Sequence, residues 1–376
     1  MNTPELRDQC AQRLLAGAAD VGRLTAFLGF DGFVDEILHV VDKREGPGSF
    51  QRLATISELA ERVGAAAGKS TNLEVVNRVT KLGGNGPIMA SALAGFGLKV
   101  TCVGTLGWPS LHPVFADFAK RAELHSIAEP GHTDAMEFDD GKVMIGKILS
   151  LNDVSWANLQ SRYGRDNFAA QLDKADLVGF VNWTMLTHLN EIWQATLKEI
   201  CPALKSKRRL MFFDLADPEK RKPDDVREAL KTIVEFKEYF DVILGLNEKE
   251  AHEIGGVLGL KASGKSPDAL SELALEINGR LPANTLVIHP VSYALAASKG
   301  AVSVVEGPFT PKPVITTGAG DNFNSGFCLG KLLGLDDAQS VLTGVAASGH
   351  YVRTARSPDI SDVVKLLRAW PKERDA

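Results

Sequence analysis

The sequence predicts an α/β fold: a three-layer α/β/α sandwich in which helices cover both faces of a mostly parallel sheet, with a small β-sheet standing off it. Three observations lead there. Short β-rich runs alternate with helical stretches along most of the chain, the pattern of successive βαβ units. Runs such as Val242–Leu246 and Leu286–Ile288 carry no polar side chain, as strands buried on both faces of a parallel sheet must. Residues 133–148 (TDAMEFDDGKVMIGKI) read instead as two β-capable arms around Asp139-Asp140-Gly141, a strong hairpin turn.

Taken in order, residues 1–20 read as an amphipathic helix with Leu6, Cys10, Leu14 and Leu15 on one side. Strands are expected at Leu24–Phe30, Lys99–Val103, Leu177–Val181, Leu210–Asp214, Val242–Leu246, Thr285–His289 and Leu295–Ser298. Helices are expected between most of them, at Ile88–Gly95, Pro113–Ala122, Leu186–Cys201, Pro223–Lys237, Glu248–Ile254, Pro267–Asn278, Asn322–Leu333 and Asp337–Val352. Three of these open on proline, which suits a first helical turn. The long interval at residues 32–81 holds a polar Gly/Pro turn, Arg44–Ser49, and a helical stretch around Ile56–Ala67. No Pro/Gly/Ser linker divides the chain. Residues 1–376 are therefore expected to form one main domain, with the small sheet drawn from about residues 36–41, 73–81 and 133–148.

Hydrophobic residues at 44% and charged residues at 24% are the mix of an ordinary globular protein. The formal charge is −5, with 42 basic and 47 acidic residues interspersed. No basic stripe stands out, which argues against nucleic acid and anionic membrane as partners. A phosphate-bearing ligand would need a local device to hold it. The four cysteines, Cys10, Cys102, Cys201 and Cys328, lie far apart with no C-x-x-C pair and no histidine at metal-ligand spacing. They read as reduced thiols, with Cys102 and Cys328 buried. The first residues lack the basic start and apolar middle of a secretion signal, and no stretch is apolar enough to span a membrane. The cytoplasm is the expected compartment.

The most informative segment runs from Pro313 to Gly334, PVITTGAGDNFNSGFCLGKLLG. A β-capable run, Val314–Thr317, meets Gly318-Ala319-Gly320, and a helical pattern follows through Phe323, Phe327 and Leu332. A strand, a glycine-rich turn and a helix N-terminus make an anion site, because free N–H groups and the positive end of the helix dipole converge there. The glycines let the backbone approach a phosphate closely. Asp321 falls at the helix start, a good capping position. A carboxylate beside an anion cradle can take the proton of an attacking hydroxyl while the cradle holds the charge of a transferring phosphoryl group. The same segment also reads as a capping aspartate after a flexible loop.

This segment resembles the C-terminal signature of the ribokinase-like carbohydrate kinases, the PfkB family, at Thr316, Gly318, Ala319, Gly320, Asp321 and Phe323. The acidic residue that usually opens that signature is Ile315 here. The resemblance implies a ribokinase-like fold whose small sheet is a lid, ATP and Mg²⁺ as cofactors, an anion hole at Gly318–Gly320 and Asp321 as catalytic base. It places Thr316 and Thr317 beside the nucleotide. It reads Asn247-Glu248-Lys249-Glu250 as the family's N-x-x-E, with Asn247 and Glu250 near the phosphates and Glu250 reaching Mg²⁺ through water. Without the resemblance, that tetrapeptide is a strand end with acidic residues in a first helical turn.

Leu82-Gly83-Gly84-Asn85-Gly86-Pro87 resembles the family's Gly-Gly turn against the sugar, so Gly84 and Asn85 are substrate candidates. The asparagine usual a few residues on is Ile88. In Gly29-Phe30-Asp31-Gly32-Phe33-Val34-Asp35, one aspartate should bind sugar hydroxyls, either Asp35 or Asp31. Asp214 and Asp217 in FFDLADP are weaker candidates. His289-Pro290 replaces a usual Thr and Gly near the nucleotide, and Gly104-Thr105-Leu106-Gly107 lacks the family's acidic residue. Family lids often pair between subunits, which implies a homodimer. The expected reaction is transfer of the ATP γ-phosphoryl group to a sugar or related polyol. A nucleoside kinase of the same fold and an inactive binding scaffold are the alternatives. A dinucleotide-binding oxidoreductase would need a Gly-x-Gly-x-x-Gly turn after the first strand, which Gly29–Gly32 does not supply.

Overall fold

A computed structural model describes residues 2–205, 209–261 and 264–371. Numbered in chain order, the strands are β1 (Thr25–Phe30), β2 (Phe33–Arg44), β3 (Phe50–Arg52), β4 (Val75–Gly83), β5 (Lys99–Gly104), β6 (Glu123–Ser126), β7 (Gly131–Phe138), β8 (Gly141–Lys147), β9 (Leu177–Phe180), β10 (Arg209–Asp214), β11 (Phe240–Leu246), β12 (Thr285–Ile288), β13 (Tyr293–Ser298) and β14 (Ala301–Glu306). Nine form the large sheet in the order β14-β13-β12-β11-β10-β9-β1-β5-β6. Pairing is parallel from β12 to β6 and antiparallel in the β12-β13-β14 edge.

Strand order across this sheet reverses between β1 and β9: β5 and β6 lie to one side of β1, and β9 to β12 run to the other. Such a switch point opens a crevice at the carboxyl ends of the strands. Both faces are packed. One carries an aromatic relay, with Phe30 and Phe180 centroids 5.3 Å apart, Phe180 and Trp193 6.4 Å, and Trp193 and Phe213 5.1 Å. Full burial of each such side chain contributes roughly 1.5–3 kcal/mol. The other face is covered by helices Pro4–Val21, Asn85–Phe96, Ala319–Leu332, Asp337–Thr354 and Ile360–Arg368. Ala319–Leu332 and Asp337–Thr354 approach backbone to backbone: a Cβ at Gly326 would lie 2.7 Å from the Ala347 methyl, and one at Gly344 would lie 2.8 Å from the Phe323 ring. That contact fixes the helix whose N-terminus forms the site.

The small sheet is built around β2, which pairs antiparallel with β4 and parallel with β7; β8 extends β7, and β3 pairs with the far end of β2. Its strands begin or end a few residues from the expected 36–41, 73–81 and 133–148. Helix Ile56–Ala65, held by a Thr55/Glu58 capping box, closes one face over Leu38, Val40, Met136 and Phe138.

Several expectations are corrected. Val314–Thr317 is not a strand: Pro311 and Pro313 remove ladder donors just before it, and the amides of Val314 and Ile315 reach only the Val352 carbonyl, at 2.8 and 3.5 Å. Pro113–Ala122 breaks into a 3₁₀ turn, Pro113–Phe115, and one helical turn, Ala116–Ala119. In the N-terminal helix the buried stripe is Cys10, Ala11, Leu14 and Val21, and Leu15 is exposed. Strand β6, with Glu123, His125 and Ser126, has no apolar pattern to announce it. All four cysteines are buried and unpaired. Among the described residues no helix is long and apolar enough to cross a membrane.

Candidate active site

The carboxyl ends of the parallel strands supply the site. Asp31 follows β1, Asn182 follows β9, Asp214 ends β10, Asn247 follows β11 and His289 follows β12. At the switch point the Asp31 carboxylate is buried and accepts three hydrogen bonds of 2.8 Å, from the amides of Asn85 and Gly86 and from Asn182 Nδ2. Asp31 therefore anchors the first turn of helix Asn85–Phe96, where unpaired amides need an acceptor. Burial still pushes its carboxyl up to about 6, against the pull of those bonds. Gly84 makes the approach possible: its φ is +93°, and a Cβ there would lie 2.8 Å from the Asp31 carboxylate.

Asp31 in turn positions Asn85, whose Nδ2 donates to Asp321 Oδ1 at 3.0 Å. Asp321 is the third residue of helix Ala319–Leu332, not its cap. Gly318 occupies the cap with φ +93°, a conformation costly for any residue with a Cβ. The amide of Ala319 is taken up by the Thr316 carbonyl at 3.1 Å. Among the described residues the amides of Gly318 and Gly320 have no backbone acceptor. The amides of this turn left open to an anion thus include those of Gly318 and Gly320 but not that of Ala319. Ile88 packs behind it, with its Cγ2 3.3 Å from where a Gly318 Cβ would be.

Two cavities meet at this turn. A polar one of about 300 Å³ is lined by Asn85, Asn182, Asp214, Glu250 and Asp321, among others. An apolar one of about 330 Å³ is lined by Tyr293, Pro308, Phe309, Phe323 and Val345, with Thr316 and Ala319 at its edge. Asn247, His289 and Gly320 border both. Burial holds His289 down to about 4, so its imidazole is neutral at physiological pH. Its ring lies 4.9 Å from that of Phe323.

The structure brings Asp321, Gly318, Gly320, Asn85, Asn247 and Glu250 around one space. Asn247 and Glu250 also form a complete capping box for helix Glu248–Val257. Glu250 Oε2 accepts from the Asn247 amide at 2.8 Å, and Oε1 from the Asp217 amide at 3.0 Å. Asp31 does not line the polar cavity and is joined to it through Asn85 and Asn182. Asp35 stands apart on the small sheet, packed so closely on Gly83 that a Cβ there would overlap its carboxyl group. Thr316 and Thr317 sit under the small sheet and accept from Lys142. The Thr317 carbonyl accepts from Tyr351 Oη at 2.9 Å.

Asn182 was not among the sequence candidates. It is buried, with φ 59°, and its Oδ1 has no partner, while the residue lines the polar cavity with Asp321. Asparagine tolerates the left-handed region better than most residues, and its Oδ1 is left open to a partner from outside the fold. The buried Asp214 carboxyl is raised well above the usual carboxylate range by burial and then by the charges of Glu250 and Asp321.

Burial, with the Asp31 charge adding to it, pushes the Asp321 carboxyl up to about 8; the Asn85 bond opposes the shift. Were this carboxyl to accept a proton in a reaction, it would do so only once ionised, and the rate would climb by up to about tenfold per unit between about pH 6 and pH 8 and level above that. A pH–rate profile checks this; a rate that falls over the same interval contradicts it.

The family model of prokaryotic ketohexokinase matches residues 2–370. The ketohexokinase of Haloferax volcanii is 30% identical over 370 residues, covering 96% of both chains. Among solved structures, a ribokinase from Arabidopsis thaliana complexed with ribose and ATP superposes with a TM-score of 0.63 at 17% identity, over 92% of this chain and 98% of its own. A phosphofructokinase-2 mutant from Escherichia coli gives 0.62 at 14% identity, over the same shares. These two share the fold.

Proposed function

The chain belongs to the prokaryotic ketohexokinase family, and from that premise we propose that it phosphorylates a ketohexose, with Asp321 as the base. ATP-dependent phosphoryl transfer to a sugar is the family's chemistry. The observation that carries the assignment of the base is the Asp321 carboxyl, buried in a polar cavity and turned toward Asn85 beside the free amides of Gly318 and Gly320. A sugar hydroxyl lodged there would lose its proton to Asp321. The new O–P bond would form as the bond from the γ-phosphorus to the β–γ bridging oxygen breaks, and ADP would leave. The amides of Gly318 and Gly320 hold the equatorial oxygens. Asn85 and Asn182 Oδ1 offer the sugar a donor and an acceptor.

The apolar cavity suits the adenine, with Phe323, Tyr293 and Phe309 as its walls. Asp214 and Glu250 supply carboxylate oxygens to the polar cavity, the hard donors that Mg²⁺ and its water shell accept. Their repulsion across that cavity is what a cation would relieve. Among the described residues no group of three or more His, Cys, Asp or Glu forms a cage, so a metal there would be shared with the nucleotide. Bound to the phosphates, Mg²⁺ would neutralise part of their charge. Of the two sugar-binding aspartates considered, Asp35 is the one with its carboxylate free of backbone anchoring. Exposed Val79 and Met144 on its face of the small sheet support a homodimer through that sheet, and the unpaired buried cysteines support a cytoplasmic setting.

Coupled ADP release over ketohexoses, aldohexoses and nucleosides tests the reading. We expect a ketohexose to exceed every nucleoside in kcat/KM by at least about 100-fold, because unmatched polar groups are heavily penalised. Preference for a nucleoside would overturn the substrate assignment, and no ADP with any acceptor would overturn the kinase.

A further inference from the structure

We propose that Tyr351 is a positioning residue for the reaction: its hydroxyl holds the Thr317–Gly318 peptide in the orientation that turns the Gly318 amide toward the polar cavity. The inference rests on the phosphotransfer reading above. It starts from the geometry of the glycine turn. The Ala319 amide donates to the Thr316 carbonyl at 3.1 Å, which closes a four-residue turn with Thr317 and Gly318 at its centre. Gly318 has φ +93° and ψ 0°, and Thr317 lies outside the positive-φ region. These are the dihedrals of a type II turn. A type I turn differs in the orientation of its central peptide, and its third residue takes φ of about −90° instead. Glycine adopts either sign of φ about as readily. Gly318 alone therefore does not choose between the two.

The choice falls to the other end of that peptide. In a planar trans peptide the C=O and the N–H point in opposite directions. The Thr317 carbonyl accepts from Tyr351 Oη at 2.9 Å, and among the described residues no backbone amide donates to it. With the carbonyl held on that side, the Gly318 N–H faces the other, where Gly318 borders the polar cavity with Asp321. A flip of the peptide would break the Tyr351 bond and turn a carbonyl oxygen toward the phosphoryl oxygens, an acceptor against acceptors. The bond also polarises the peptide, which makes its N–H a stronger donor. Helix packing delivers the hydroxyl. Gly344, Ala347 and Tyr351 follow at steps of three and four along helix Asp337–Thr354 and share one face. A Cβ at Gly326 would lie 2.7 Å from the Ala347 methyl, and one at Gly318 would lie 3.0 Å from Tyr351 Oη. Tyr351 is buried, and burial, with the charges of Asp321 and Asp35 adding to it, pushes its hydroxyl up to about 12. The hydroxyl therefore keeps its proton and donates at physiological pH.

The test compares wild type with Tyr351→Phe, which keeps the ring and removes only the hydroxyl. Four quantities are measured: kcat, KM for the ketohexose, ADP affinity, and affinity for ADP with aluminium fluoride and ketohexose. Loss of an oxyanion donor costs about 10²–10³-fold in kcat; here the amide remains and only its aim is lost. Tyr351→Phe should therefore lower kcat and transition-analogue affinity together, by about 30-fold, with ADP affinity and sugar KM within about threefold of wild type. A tyrosine that only packs the two helices would lower the melting temperature and leave the ratio of analogue to ADP affinity as it was. A change in that ratio of less than about threefold, or a Tyr351→Phe kcat within about threefold of wild type, overturns the proposal alone. A wild type silent with every ketohexose overturns the phosphotransfer reading with it.

Discussion

Replacing Asp321 by Ala is expected to lower kcat by about 10³-fold or more while ATP and sugar still bind, because a positioned general base contributes roughly 10²–10⁴-fold. Three features set the size of the effect. The carboxylate lies in the cavity it must serve, Asn85 holds it at 3.0 Å, and none of the described side chains in the polar cavity shares both the helix turn and that hydrogen bond. The change leaves the glycine cradle and the helix crossing at Gly326 untouched. It also removes a carboxyl whose ionisation the fold disfavours. The variant should therefore unfold no more easily than wild type at pH 8. Calorimetric titration of both ligands beside steady-state rates checks this; loss of ligand binding equal to the loss of rate would make Asp321 a structural residue.

The second large effect is expected at Asp31, and it is of another kind. Asp31→Ala leaves the amides of Asn85 and Gly86 and the Asn182 Nδ2 without their buried acceptor. Removing one partner of a buried, charge-assisted set costs about 3–5 kcal/mol, which for a chain of this length lowers the melting temperature by roughly 5–10 °C. Activity should fall as well, by about 100-fold, because Asn85 and Asn182 lose the group that aims them. Asp31→Asn should do little better, since it turns a donor toward donors. Thermal unfolding with steady-state kinetics measures both. A variant with unchanged stability and only a raised sugar KM would mean that Asp31 faces the sugar, and Asp35 would lose its place as the sugar-binding aspartate.

These two aspartates show how far the residues alone could speak. Asp321 was legible because glycine, helix start and carboxylate are adjacent in the chain, and their chemistry follows from local geometry. The alternating strands were legible for the same reason: β9, β11 and β12 carry unbroken apolar runs. Asp31 and Asp35 were indistinguishable, because a spacing of four residues does not say which carboxylate meets a helix that starts more than fifty positions later. Asn182 and Lys142 were silent for a related reason. Each has a hydrogen-bond partner far along the chain, 151 and 174 residues away, and only the switch point and the small sheet bring them together. The supposed strand at Val314–Thr317 failed where β-branched residues outweighed the nearby prolines in the reading. The bland account of Asn247 and Glu250 as a helix start is correct as far as it goes, since the capping box is complete. The same two residues line the polar cavity.

The most direct measurement is a single-turnover rapid-quench experiment on wild type and Asp321→Asn, with ATP and ketohexose both bound beforehand, across the range from about pH 6 to pH 9. Wild type should form ADP at a rate that rises with pH and then levels, and the variant should be about 10³-fold slower and flat across the range. A variant within tenfold of wild type, or one whose rate follows the same rise, would show that the proton leaves the sugar by way of another group.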